Sequence, residues 1–323
     1  MAWQESFLSR IINRYLCGDK ALKEARLVPH GILFYSLTLP HNDDPITSDL
    51  IGQITAYEEV VKLFSTRNVT IDTFHLAHRK LNRNNRPAVT SFRLTQNTVG
   101  SKLSGEVYRP PRPEVVNKAM DDLVALISQS ISNDLFAIIN IYVLFLKIHP
   151  YMDGNGRLAR ALMQGLLIKH GINRPHLDLF RFSNSEIKFS EQLSSFVTGN
   201  LNANEYWVSN IAWNDSLTCY LTTIINIFQK NLSNKVALRP MDTHDSAALQ
   251  MLLMYPIFTP DFLCRALNIP YEKSTKLIEK FCRLNLLEPQ QIRVVKNQVV
   301  YVANGAFEMI SSFDQAIFSN KQL

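Results

Sequence analysis

Two apolar runs joined by a short polar loop constrain this chain more than any other feature. Asp134–Ile148 is apolar on nearly every side, and a helix of that kind has to be buried, so the segment predicts the central helix of a bundle. It delivers His149 at its end. The loop then reads His149-Pro150-Tyr151-Met152-Asp153-Gly154-Asn155-Gly156-Arg157-Leu158-Ala159-Arg160. Leu158-Ala159 and Ala161-Leu162-Met163 resume the apolar pattern and predict a second helix directly behind the glycines. The fold expected from this start is mainly α.

The loop collects one chemistry. His149 has an ordinary pKa of ~6.5, which suits it to take a proton near neutrality. Asp153 is a hard oxygen ligand, suited to Mg²⁺ shared with phosphates. Gly154-Asn155-Gly156 lets several backbone N–H groups turn toward one point, a concavity that fits phosphate oxygens. The helix start behind it adds partial positive charge. Arg157 and Arg160 lie three apart, share a helix face and can grip further phosphates. Taken singly, a Gly-Asn-Gly loop is a turn, paired arginines are a solvated face and Asp153 is a cap. Together in one turn and a half, they predict a phosphate-handling catalytic loop. The remaining histidines, His30, His41, His75, His78, His170, His176 and His244, lack such company and read as surface or core residues.

The bulk properties leave room for this reading. The chain has 323 residues, enough for two or three domains, and 46% of them are hydrophobic. No apolar stretch reaches the length of a membrane span, and the start Met1-Ala2-Trp3-Gln4-Glu5 has no signal-peptide pattern. Cys17, Cys219, Cys264 and Cys282 form no CxxC pair and read as reduced thiols of a cytoplasmic protein. A net charge of +6 permits a nucleic-acid contact without requiring one.

Apolar spacing predicts helices over residues 5–17, from Thr47 or Ser48 through Phe64, over Asp72–Leu81 and over Pro113–Ser130. Residues 30–46 and 82–87 read as breaks, and 91–109 as extended with turn points at Gly100 and Gly105. Such a Gly-bordered segment can add a peptide strand by main-chain pairing, so 97–107 is a candidate docking place for a target protein. More helices follow to residue 232. The polar, basic Asn231–Arg239 reads as a linker. Beyond it, Ala247–Tyr255, Asp261–Leu267 and Tyr271–Leu284 read as helices, and Ile292–Val295 with Gln298–Val302 as a hairpin. That order is a winged helix's. Lys273 and Lys276 near the start of its third helix suit DNA phosphates, whereas Glu272 and Glu279 dilute the positive face; DNA binding, protein docking and dimerisation all remain open.

The loop resembles the signature of the Fic (Fido) family, His-Pro-Phe-x-(Asp/Glu)-Gly-Asn-Gly-Arg-x-x-Arg, with Tyr151 for the usual phenylalanine. Phe92–Gly100 and Tyr108-Arg109-Pro110-Pro111 resemble the segments bordering that family's substrate-binding flap. The resemblance implies a helical Fic core at 91–232 with a short β-hairpin flap, an N-terminal helical extension at 1–90 and a winged helix at 240–323. It implies transfer of AMP from ATP to a Tyr, Thr or Ser hydroxyl of a target protein, with self-modification possible in principle. His149 is then the base, Asp153 the Mg²⁺ ligand, Gly154, Asn155 and Gly156 the anion hole, and Arg157 and Arg160 phosphate ligands. The adenine end is the least specified: Phe180-Arg181-Phe182 and Phe189 offer an aromatic slot but read equally as core.

One departure is particular to this chain. Many Fic proteins carry an inhibitory helix, Ser/Thr-x-x-x-Glu-Gly/Asn, whose glutamate pairs with the second motif arginine, here Arg160. The matching stretch is Thr47-Ser48-Asp49-Leu50-Ile51-Gly52, and it places Ile51 at the glutamate position, or Gly52 if the register starts from Ser48; neither can form a salt bridge. Rival functions are a Fic enzyme transferring another phosphate-linked group, a DNA-binding regulator with a vestigial core, and a nucleotide-binding adaptor.

Overall fold

The computed structural model describes residues 45–82, 91–99, 108–129, 134–172, 203–236, 241–291 and 299–318. The expected helix at 5–17, the flap tip at 100–107 and the aromatic stretch at 180–189 lie outside the described residues. The described residues are mainly helical with one small antiparallel sheet, and the chain divides into two compact units. Of the described residues, those within 53–215 form one unit and those within 45–52 and 216–318 the other.

The first unit is built around the two helices that flank the loop. Before them come α1 (Pro45–Thr66), which belongs to this unit from Gln53 on, α2 (Ile71–Leu81) and α3 (Pro113–Ser128); the flanking pair are α4 (Leu135–Ile148) and α5 (Asn155–Lys169). Asp134 caps α4 by accepting from the Phe136 N–H at 2.9 Å. Ile138, Ile139, Ile141, Tyr142, Phe145, Leu146 and Ile148 of α4 are buried, as the all-apolar run requires. α4 packs on α3 and α5, and α2 packs on α5. Backbone contact between α1 and α5 is close: a Cβ at Gly165 would lie 2.5 Å from Cβ of Phe64, so any larger residue there would force the helices apart. Thr70 opens α2 with a capping box to Thr73.

A long helix, α6 (Ala203–Val236), takes in residues 231–236 of the segment expected to be a linker. Leu217, Leu221, Ile225, Phe228, Leu232 and Val236 are all buried at three-to-four spacing. The stripe therefore continues past Asn231, and polar neighbours on the other face do not break a helix whose apolar face stays covered.

The C-terminal elements are α7 (Thr243–Met254), β1 (Ile257–Phe258), α8 (Pro260–Leu267), α9 (Tyr271–Arg283), β2 (Leu287–Gln291), β3 (Val299–Ala303) and α10 (Ala306–Phe318). The sheet order is β1-β3-β2, antiparallel throughout. Its first hairpin strand is Leu287–Gln291, ahead of the expected Ile292–Val295, which lies outside the described residues. Pro289 and two glutamines hide this strand in the sequence. At a sheet edge the missing proline N–H costs no ladder bond. Leu277, Ile278 and Phe281 of α9, Val300 and Val302 of β3, and Ile310 and Phe313 of α10 are buried. Among the described residues no helix is long and apolar enough to cross a membrane.

Candidate active site

α4 ends at His149, whose backbone is left-handed, φ 49° and ψ 60°, with its N–H bonded to the Phe145 carbonyl at 3.0 Å. That conformation is uncommon outside glycine. It turns the chain sharply into Pro150 and the loop. Burial pushes the His149 pKa down to about 4; the Leu146 carbonyl and Asp153 oppose the shift and the Arg93 charge adds to it. The imidazole is therefore neutral at pH 7, with a lone pair available for a proton.

The loop is held from inside. Asn155 is buried, with its Oδ1 accepting from the Tyr151 N–H at 3.0 Å and its Nδ2 donating to the Tyr151 carbonyl at 2.7 Å. Its amide side chain thus shapes the loop. Gly154, at φ 83°, is the N-cap of α5 and supplies no side-chain cap. The Leu158 N–H is bonded to the Gly154 carbonyl at 3.0 Å. The amides of Asn155, Gly156 and Arg157 precede that bond, so they are first-turn donors outside the intrahelical ladder. Positive charge from the α5 dipole concentrates there.

Asp153 is exposed, and its Oδ1 accepts from the Gly154 N–H at 2.7 Å. Among the described residues no group of three metal-ligating side chains exists. A single exposed carboxylate beside an anion cradle fits Mg²⁺, which is bound through one or two carboxylates plus substrate phosphates. The two arginines take different directions. Arg160 is buried, and its Nη1 would lie 3.4 Å from a Cβ at Gly156, so its guanidinium folds back over the first turn of α5. Arg157 reaches α2 instead, donating to the Leu81 carbonyl at 3.1 Å and to Asn82 Oδ1 at 2.8 Å.

Two histidines read from the sequence as plain surface or core residues have a place at the loop. His78 is buried and stacks on Tyr151 with ring centroids 3.8 Å apart and planes 9° from parallel. Its Nε2 lies 2.9 Å from the Asp153 carbonyl oxygen and 2.8 Å from Asn82 Nδ2. Burial lowers its pKa, against the pull of the Asp153 carbonyl. His75 Nδ1 lies 3.0 Å from the Tyr151 hydroxyl. Tyr151 is fully buried, as expected for a residue in a phenylalanine socket, and burial pushes its phenol pKa up. The available signal was the three-then-four spacing of His75, His78 and Asn82 along one face of α2.

The flap base is tied to the same loop. Val99 and Tyr108 form an antiparallel bridge, with both N–H···O bonds at 2.9 Å. Asn97 Nδ2 donates to the Tyr151 carbonyl at 3.1 Å. In the other unit the cations of α9 are largely matched: Lys276 meets Glu272 at 2.7 Å, Arg283 meets Glu279 at 3.5 Å and Lys280 meets the buried Asp245 at 2.5 Å. Ile51 lies within α1, so its backbone is helical.

The sequence model of the Fic/DOC family matches residues 68–167, which includes α2 through most of α5. A curated relative, "Protein adenylyltransferase Fic" of Nematostella vectensis, is 32% identical over 126 residues, covering 38% of this chain. The match spans 28% of that relative's length. Among solved structures, a Fic family protein from Desulfovibrio desulfuricans G20 superposes with a TM-score of 0.45 and 15% identity, covering 92% of this chain and 86% of that one. A Fic domain-containing signaling protein from Bacteroides thetaiotaomicron VPI-5482 gives 0.45 and 14%, covering 85% and 89%. The loop, all of α4 and most of α5 thus lie within the part of the chain, residues 68–167, that matches the Fic/DOC family.

Proposed function

We propose that the protein is an adenylyltransferase that moves AMP from ATP onto a Tyr, Thr or Ser hydroxyl of a target protein, itself included. The observation that carries this reading is the meeting of a neutral His149, at the carbonyl end of α4, with the uncapped amino end of α5 in one short loop. A base and a set of anion donors that close together suit attack of a hydroxyl on a phosphate. The name of the curated relative points the same way.

In this mechanism the target hydroxyl gives its proton to His149 as its oxygen bonds to the α-phosphorus of ATP. The bond from that phosphorus to the bridging oxygen breaks, and pyrophosphate leaves with the electron pair. The first-turn amides of α5 face the charge that develops on the phosphate oxygens, and Arg160 holds the terminal phosphates. Arg157 anchors the loop to α2, and the family resemblance gives it a phosphate contact as well. Asp153 would hold Mg²⁺, which supplies charge neutralisation on the phosphates when bound. The target strand is proposed to pair along 97–107. The helix, helix-turn-helix and hairpin order of the C-terminal unit supports reading it as a winged helix.

The test is intact-mass analysis of the purified protein and of lysate proteins after incubation with ATP and Mg²⁺. A gain of one AMP, absent with His149→Ala, is the expected result. No gain on any protein would overturn the reading, and a gain of another mass would assign a different phosphate-linked group.

A further inference from the structure

The carbonyl end of α4 is closed by side chains from the two arms of the flap, and Arg93 does most of the closing. Arg93 is buried. Its Nε donates to the His149 carbonyl at 2.9 Å, and its Nη2 donates to the Ile148 carbonyl at 3.4 Å and the Pro111 carbonyl at 2.5 Å. Its Nη1 donates to the Thr95 carbonyl at 3.3 Å, and its backbone N–H to the Pro150 carbonyl at 2.8 Å. One guanidinium thus joins the entering arm (Thr95), the returning arm (Pro111) and the peptide of the catalytic base. From the returning arm, the Tyr108 hydroxyl donates to the Lys147 carbonyl at 2.8 Å.

Physical reasons favour this arrangement. The last carbonyls of a helix have no intrahelical donor and carry partial negative charge, so a buried cation is stabilised there. Arginine offers five donors in a rigid plane, which suits several carbonyls at once, whereas lysine is a point charge on a flexible stem. A left-handed non-glycine residue persists only where its surroundings over-determine it. His149 is such a residue, and the bond from Arg93 Nε falls on its own carbonyl.

We infer that Arg93 is a positioning residue: it fixes the His149 peptide in its left-handed turn and couples that turn to the flap arms that receive the target. The role assigned to His149 rests on the adenylyltransferase reading, whereas the geometric lock does not. No atom of Arg93 is assigned to the nucleotide, so its loss should act on turnover and leave ATP affinity alone.

The experiment compares the parent with Arg93→Lys, and with Tyr108→Phe as the milder break. Three readouts are taken: the melting temperature, kcat and KM for ATP in AMP transfer, and the His149 imidazole resonances by ¹⁵N NMR. For a folded Arg93→Lys we expect kcat to fall on the order of tenfold to a hundredfold, the cost of misplacing a reacting group by about an ångström, with KM for ATP within about twofold. The His149 ring signals should shift or broaden. Tyr108→Phe should change both readouts in the same direction by less. Ring signals unchanged from the parent overturn the lock, whatever the melting temperature does. Signals that move while kcat stays at the parent value overturn the coupling to catalysis. If the parent transfers no AMP, the adenylyltransferase reading fails, and the ring comparison alone still decides whether Arg93 positions His149. If Arg93→Lys does not fold, Tyr108→Phe decides by the same two criteria.

Discussion

The hydroxyl of Tyr151 lies 3.0 Å from Nδ1 of His75, while its ring is fully buried and stacked on His78. Tyrosine stands here where the family pattern has phenylalanine, and a buried phenol needs a partner. His75→Ala should therefore destabilise the protein by about 1–3 kcal/mol by leaving the hydroxyl unpaired, whereas Tyr151→Phe should cost about 1 kcal/mol. In Tyr151→Phe, the further loss on removing His75 should shrink, a coupling that a double-mutant cycle by urea unfolding measures. Additive losses would show that the contact is geometric only.

His149→Ala should lower transfer by roughly 10²–10⁴-fold and leave ATP binding intact. The base works only when neutral, and its folded pKa is pushed down to about 4. Activity limited by this group should thus hold from neutral pH down to about pH 5 and fall as pH approaches 4. The same shift bears on stability. The unfolded histidine takes up a proton below ~6.5 and the folded one does not, so the native state loses ground as pH falls through that window. A pH–rate profile with its acid limb near 6.5 would contradict the burial of this ring.

Asp153→Ala should reduce transfer and blunt its response to added Mg²⁺, since its exposed carboxylate is the proposed metal contact. A Mg²⁺ titration of activity checks it. The Gly154 amide bond to Asp153 is lost in the same variant, so melting curves must accompany the assay. A folded variant with the parent's Mg²⁺ response removes Asp153 from the metal.

Ile51→Glu should slow transfer. The family resemblance sets position 51 where an inhibitory glutamate pairs with the second motif arginine, and a carboxylate there would compete with the ATP γ-phosphate for Arg160. The parent should correspondingly be active without an activating substitution. Glu59 does not fill the role, because it is paired with Lys80 of α2 at 2.5 Å. Initial rates of both proteins, with unfolding curves, decide it. Equal rates in a folded Ile51→Glu would remove position 51 from regulation.

α9 should bind DNA weakly, because Lys276 and Arg283 already face carboxylates of α9 itself and Lys280 faces the buried Asp245 of α7. A gel-shift series across salt measures this. A steep salt dependence that flattens by about one unit of slope per contact in Lys273→Ala/Lys276→Ala would instead place α9 on the duplex.

The local structure of the loop was legible in the sequence because neighbours along the chain set it. The all-apolar run gave the buried α4, the glycines gave the turn and the uncapped start of α5, and His149, Asp153 and Arg160 lie in the loop they were read from. Helix α10 carries its own local signal, Ala306, Met309, Ile310 and Phe313 at helical spacing behind Gly305. Strand β2 was hidden, since a proline strand is permitted only at an edge, and edges are decided by sheet order.

What the tertiary structure alone decided is how the loop is held. Arg93 lies 56 positions from the carbonyl it grips at His149, and His75 lies 76 positions from Tyr151. Arg157 turned to α2, 76 positions away at Leu81, although its spacing from Arg160 put both on one face. Sequence spacing fixes which face a side chain leaves from. Which of several acceptors a long, charged side chain then reaches depends on where other helices bring their carbonyls, and only packing sets that.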